Sequence, residues 1–177
     1  MAATAFDMLV ELEQLGRGFA GDLPTEEVPG DVWAGVGFRL RGWRFVCSMS
    51  EVAELLKYPA IAPIPRTKSW VRGMANVRGT LLPIMDLNGF LGDHGPSLTR
   101  LSRVLVVPME NAYTGLLVDE VFGVQHFPRE SLGEAPGDLD PRYASFVTGS
   151  VEHDGEVWLV FSMPALVKAP QFLMVAS

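Results

Sequence analysis

Cysteine occurs once in these 177 residues, at Cys47, so the chain cannot close a disulfide on itself. Histidine is nearly as scarce. His94, His126 and His153 lie far apart, and none stands in the His-x-x-x-His spacing of a helical metal site. No run of about 18 apolar residues is present, which excludes a membrane-spanning helix by sequence, and no basic stretch leads into an apolar one at the N-terminus. The cytoplasm is the expected compartment. Gly35-Val36-Gly37 lacks the third glycine of a dinucleotide loop, and nothing has the spacing of a phosphate-cradling Walker loop. Cys47 lies within the apolar run Phe45-Val46-Cys47, where a thiol behaves as a small hydrophobe, and no base stands beside it. Asp138 and Asp140 could approach a cation but occupy a Gly/Pro-rich loop, the usual setting of solvated acids. With no catalytic constellation, the sequence points to recognition rather than chemistry, and no cofactor or metal is expected.

What is present is apolar: 48 % of the residues are hydrophobic and only 20 % charged, the composition of a folded chain long enough to bury a core. The formal net charge is −7, a poor match for a phosphate backbone, so no nucleic-acid partner is expected. Charge is nonetheless polarised. Eight of the fourteen basic residues, from Arg39 to Arg78, fall within forty positions whose only acids are Glu51 and Glu54, a local basic face suited to an acidic protein partner.

Residues 1–30 form a distinct segment. Phe6, Leu9, Val10, Leu12 and Leu15 recur at helical spacing around Asp7, Glu11 and Gln14, and Gly16, Gly18, Gly21, Pro24 and Pro29 then break the pattern. An amphipathic helix followed by an acidic linker is predicted. From Trp33 onward short apolar runs alternate with turn residues. Strands are predicted over 32–40 and 43–47, turning at Arg41-Gly42; over 74–85 as one hairpin; over 103–109 and 113–118; over 121–127; and over 146–152 and 157–161, turning at Asp154-Gly155. Ser48-Met49-Ser50-Glu51 has capping-box spacing and predicts one or two helical turns through Leu56, and a short helix is predicted from Asp86 to Leu91. About ten strands at this spacing suit small barrels or a sandwich, and pattern alone leaves both open.

Gly73-Met74-Ala75-Asn76-Val77-Arg78-Gly79-Thr80-Leu81-Leu82-Pro83-Ile84-Met85-Asp86-Leu87 is the most specific stretch. Two apolar runs flank a polar step, so a tight hairpin is predicted whose turn needs Gly79 for an unusual backbone angle and projects Arg78 from its edge. A guanidinium held on a rigid turn loses little freedom when a partner engages it.

Gly-x-x-Asn-x-Arg-Gly followed by Pro-x-x-Asp-Leu resembles the signature of CheW-like domains, scaffolds that couple chemoreceptors to a histidine kinase. Val52-Ala53-Glu54-Leu55 is similar to the family's Val-x-Glu-Ile step, with Pro63 and Pro65 leading to the hairpin; Val118-Asp119-Glu120-Val121 and Phe146-Val147-Thr148-Gly149 resemble its later strands. The matches run in order over residues 33–168. The resemblance implies a mainly β fold of two five-stranded SH3-like barrel lobes around a shared hydrophobic core with a groove between them, spanning 31–170, with residues 1–30 an extension and 171–177 a tail. Residues 33 to about 85 would hold much of one lobe and the middle of the chain the other, and the termini can cross between lobes. It further implies a non-catalytic adaptor with no direct membrane insertion. Its partners would be the cytoplasmic tip of a methyl-accepting chemoreceptor, lying against the groove, and the regulatory domain of a CheA-type kinase, meeting a lobe edge. The positions carried over are Val52, Glu54, Leu55, Asn76, Arg78, Gly79, Val118 and Asp119. The N-terminal segment and the Trp33 to Phe38 opening look more like the versions serving type IV pilus arrays. Asn88 and Ser162 depart from the family's basic and acidic residues near surfaces expected to contact partners. A second class stays open: a small β-barrel hydrolase or ligand-binding protein whose site assembles only in three dimensions.

Overall fold

Two sheets of six strands each account for most of the described residues, which are 32–92 and 98–175 of this computed structural model. Strands β1 (Val32–Leu40) and β2 (Trp43–Ser48) lead through a 3-10 turn at Met49–Glu51 to β3 (Glu54–Lys57) and β4 (Ile61–Ala62). The hairpin β5 (Val71–Val77) and β6 (Thr80–Asp86) runs into helix α1 (Leu87–Phe90), followed by β7 (Arg103–Pro108), β8 (Tyr113–Val118) and β9 (Glu120–Pro128). A two-residue β10 (Leu132–Gly133), helix α2 (Pro141–Ala144), β11 (Val147–His153), β12 (Glu156–Phe161) and helices α3 (Met163–Val167) and α4 (Pro170–Leu173) complete the chain. The predicted N-terminal helix and linker lie outside the described residues.

The first sheet has the order β10-β11-β12-β2-β1-β9 and the second β3-β7-β8-β6-β5-β4. Each therefore has one strand more than expected, the short pairs at β10 and β4 being too brief to leave a sequence pattern. The division of the chain also differs from the expected one. β1 and β2 do not join the 54–85 segment; they pair with β9 and, in parallel, with β12, so the first lobe is built from both ends of the domain and the second from residues 54–118 alone. Nonlocal pairing of this kind leaves no trace in local periodicity. The two sheets repeat one arrangement, an N-terminal hairpin whose second strand pairs in parallel with the second strand of a later hairpin: β2 with β12, β6 with β8.

Strand alternation explains the cores. Along β7, Leu105 and Val107 face a large core shared by both sheets while Val104 and Val106 enter a cluster private to the second lobe. β2 and β12 divide likewise, with Phe45, Cys47, Leu159 and Phe161 on the shared side and Val46 and Trp158 inside the first lobe. Strands buried on both faces read as continuous apolar runs, as Val104 to Val107 do. The C-terminal helices cap the shared core: Phe172, within the stretch set apart by sequence as a tail, is buried and stacks on Trp70 with ring centroids 5.8 Å apart.

The predicted helix after Ser48 is replaced by a single 3-10 turn and strand β3. Ser48 makes no capping bond, its hydroxyl lying 3.0 Å from that of Ser50, and Glu51 accepts from the Met163 N–H at 3.1 Å instead of reaching back to its own turn. Val52 is buried in the shared core, and β3 gains a ladder with β7 from Glu54↔Val106 to Lys57↔Arg103. The helix after Asp86 forms as expected, with the Asp86 carboxylate capping it from Gly89 N–H at 3.3 Å.

Candidate functional site

The β5–β6 hairpin closes between Val77 and Thr80, leaving Arg78 and Gly79 as a two-residue turn. Both have positive φ, +51° and +83°, the geometry of a type I′ turn that matches strand twist. Gly79 therefore has the role expected of it, and Arg78 shares the strained conformation. Asn76 fixes the turn from inside, its Oδ1 accepting the Gly79 N–H at 2.9 Å. Gly73, at φ +139°, has a role the sequence did not reveal: a Cβ there would run into the Ala62 carbonyl oxygen, so only glycine lets β4 lie against β5.

Arg78 is the exposed tip, with 54 % of its side chain accessible, and its guanidinium pairs with Glu54 of β3. Two predicted site residues 24 positions apart are thus brought together across the second lobe. Leu81, 66 % exposed, and Tyr113, 50 % exposed at the start of β8, add apolar surface to this end. A signal for Leu81 was present in the sequence: in Leu81-Leu82-Pro83-Ile84, period-two alternation buries Leu82 and Ile84 and sends Leu81 outward.

Other carried-over positions serve the fold. Val52 and Val118 are buried in the shared core, and Leu55 is half-buried against it. Asp119, at the crossover from β8 to β9, is buried; its carboxylate accepts the Arg41 N–H at 2.6 Å and the Asn88 side-chain amide at 2.8 Å. It ties the β1–β2 turn of one lobe to α1 of the other. Asn88 is accordingly buried, not near a contact surface as expected. Ser162 caps α3, its hydroxyl accepting the Ala165 N–H at 3.2 Å.

A groove of about 950 Å³ opens beside the shared core between the 3-10 turn, the β7–β8 turn and helices α3 and α4. Val107, Met109, Ala112, Met163, Val167 and Leu173 give it an apolar lining, with Glu51, Glu110 and Lys168 at hand. Burial raises the Glu51 carboxyl above its ordinary 4.5, partly offset by the Met163 N–H.

Chemistry finds little purchase. Burial, reinforced by Glu51, pushes the Cys47 thiol far above its usual range, away from the thiolate a nucleophile needs. Asp140 caps α2 and pairs with Arg142, which holds its carboxyl below the ordinary value. His153 lies edge-on to Phe127 and 3.3 Å from Asp154; His94 lies outside the described residues. Among the described residues no group of three or more His, Cys, Asp or Glu side chains is placed to hold a metal, and no helix is long and apolar enough to cross a membrane.

Comparison with known proteins agrees with this geometry. The CheW-like domain model matches residues 34–171. Protein PilI of Pseudomonas aeruginosa is 46 % identical over 173 residues, covering 98 % of this chain and 97 % of that protein. Chemotaxis protein CheW of Rhizobium meliloti is 25 % identical over 122 residues, covering 69 % of this chain and 79 % of its own. The crystal structure of the scaffolding protein TtCheW from Thermoanaerobacter tengcongensis shares the fold, with a TM-score of 0.69 at 23 % identity over 80 % of this chain and 96 % of that one. Signature hairpin, two-sheet architecture and near full-length similarity converge: the chain belongs to the CheW-like domain family.

Proposed function

We propose that this protein is a non-catalytic cytoplasmic adaptor that couples a methyl-accepting chemoreceptor to a CheA-type histidine kinase, in an array controlling type IV pilus twitching motility. The likeness to PilI over nearly the whole chain supports the pilus assignment. The observation that carries the binding site is the hairpin end, where Arg78 stands on a rigid two-residue turn flanked by exposed Leu81 and Tyr113. A planar fork of donors beside apolar and aromatic surface has the composition of an interface anchor. On this reading Arg78, Glu54, Asn76 and Leu81 meet the kinase's regulatory domain, with Gly79 shaping the turn. The receptor's helical tip lies in the apolar groove beside Met109 and Val167, and Val52, Leu55, Val118 and Asp119 hold the two surfaces in register.

Paired substitutions test it. Arg78→Glu should weaken kinase binding by roughly 2 to 4 kcal/mol, about thirty- to a thousand-fold, and leave receptor-tip binding within threefold. Ala112→Glu, at the exposed rim of the groove, should do the reverse. Isothermal titrations against both partners, with thermal melts of each variant, measure this. Unchanged kinase affinity in Arg78→Glu would remove the anchor role.

A further inference from the structure

At the opposite end of β3 from Glu54, two cations face each other. Lys57 is directly opposite Arg103 in the β3–β7 ladder, a like-charge cross-strand pair that disfavours the sheet unless an anion covers it. Arg103 turns its Nη1 onto the Arg100 and Ser102 carbonyls at 2.9 and 2.7 Å, which anchors the 98–102 turn beside it. Arg100 is exposed on that turn, between Leu98 and Leu101, themselves 46 % and 51 % exposed. Lys57, Arg100 and Arg103 make no ion pair with any described residue. The result is a basic surface carrying two outward leucines, complementary to an acidic amphipathic segment.

This chain contains such a segment. Residues 1–31 hold seven of the 21 acids and a single base, Arg17, so nearly all of the net charge of −7 resides there, alongside the helically spaced Phe6, Leu9, Leu12 and Leu15. Reach permits contact. From Val32 the nine residues of β1 run about 30 Å toward Leu40, where Arg39 pairs with Glu120 two residues beyond Val118, the β8 partner of Arg103. The sixteen residues 16–31 span up to about 55 Å. The groove is the poorer host, since Glu51 and Glu110 oppose an acidic helix. We propose that residues 1–15 dock in cis on the surface formed by Lys57, Leu98, Arg100, Leu101 and Arg103.

The chain has only three lysines, Lys57, Lys68 and Lys168, so zero-length carbodiimide cross-linking of the full protein reports where the N-terminal acids lie. Peptide mapping should find Asp7, Glu11 or Glu13 joined to Lys57, within one chain when ¹⁴N- and ¹⁵N-labelled protein are mixed. The joint Leu98→Asp, Arg100→Glu variant, at two exposed positions, should lower that yield about tenfold with the melting temperature little changed, as should a high salt concentration. Joining to Lys168 would place the segment in the groove instead. That result, mixed-isotope joining between chains, or no product from residues 1–15 would overturn the proposal.

Discussion

Asp119 shows how a motif residue can serve the fold. Its two acceptor bonds satisfy a part-buried turn N–H from the first lobe and a buried amide from the second. Asp119→Ala leaves the Asn88 amide buried without an acceptor, so a loss of roughly 1 to 3 kcal/mol is expected in urea denaturation, without a selective loss of either partner. Arg78 is legible from sequence as an exposed turn cation because Asn-x-Arg-Gly between apolar runs specifies the hairpin locally. Its pairing with Glu54 was not, since the contact depends on how the sheet curls. Asn88 misled for a related reason: identity relative to a family pattern says nothing about burial, and the Asn88 amide satisfies a buried carboxylate.

Among elements, the hairpins were readable and the short connectors were not. Arg41-Gly42, Arg78-Gly79 and Asp154-Gly155 each sit between strand runs, and each turn begins with a non-glycine residue at φ near +50°. The 3-10 turn at Met49–Glu51 escaped because its capping spacing competes with a tertiary bond. Glu51 holds the start of α3 through the Met163 N–H, 112 residues away. That bond carries a pH signature. Burial sets the native carboxyl above 4.5, so the folded state holds its proton more tightly; this stabilises the protein below about pH 4.5 and is lost as pH rises through the raised native value. Glu51→Gln keeps an acceptor and removes the titration. The stability of wild type relative to this variant should therefore fall as pH rises from about 4 to 7, measured as the difference between their chemical denaturation midpoints. A constant difference would show that Glu51 is effectively solvated.

For the whole molecule, sheet content and the shared core were foreseeable, from the strand count and the family resemblance respectively, but the allocation of strands to lobes was not. Nothing in residues 32–48 announces that their partners lie beyond residue 120. The repeat of one arrangement in both sheets is equally silent in sequence, because each position records its own packing and not its counterpart's. Since strands of both lobes present one face to the shared core, neither can unfold without exposing the other. A single transition is expected, with coincident midpoints for circular dichroism and for the fluorescence of Trp158, inside the first lobe, and Trp70, against the shared core, in variants keeping one tryptophan each. Separate midpoints would mean that the lobes are independent.

The route of the chain has a consequence for its synthesis. β1 and β2 are the first of these strands to leave the ribosome, yet both the neighbours that flank them in the finished sheet are encoded from residue 120 onward. At roughly 5 to 20 residues per second, the 71 positions between the end of β2 and the start of β9 take about 4 to 15 s to translate. By the end of that interval residues 54–118 possess every strand of their own sheet, while the nascent hairpin still displays Phe38, Phe45 and two open edges. The second lobe is thus the one equipped to order first, and the first lobe is the one that newly made chains must keep from pairing with each other.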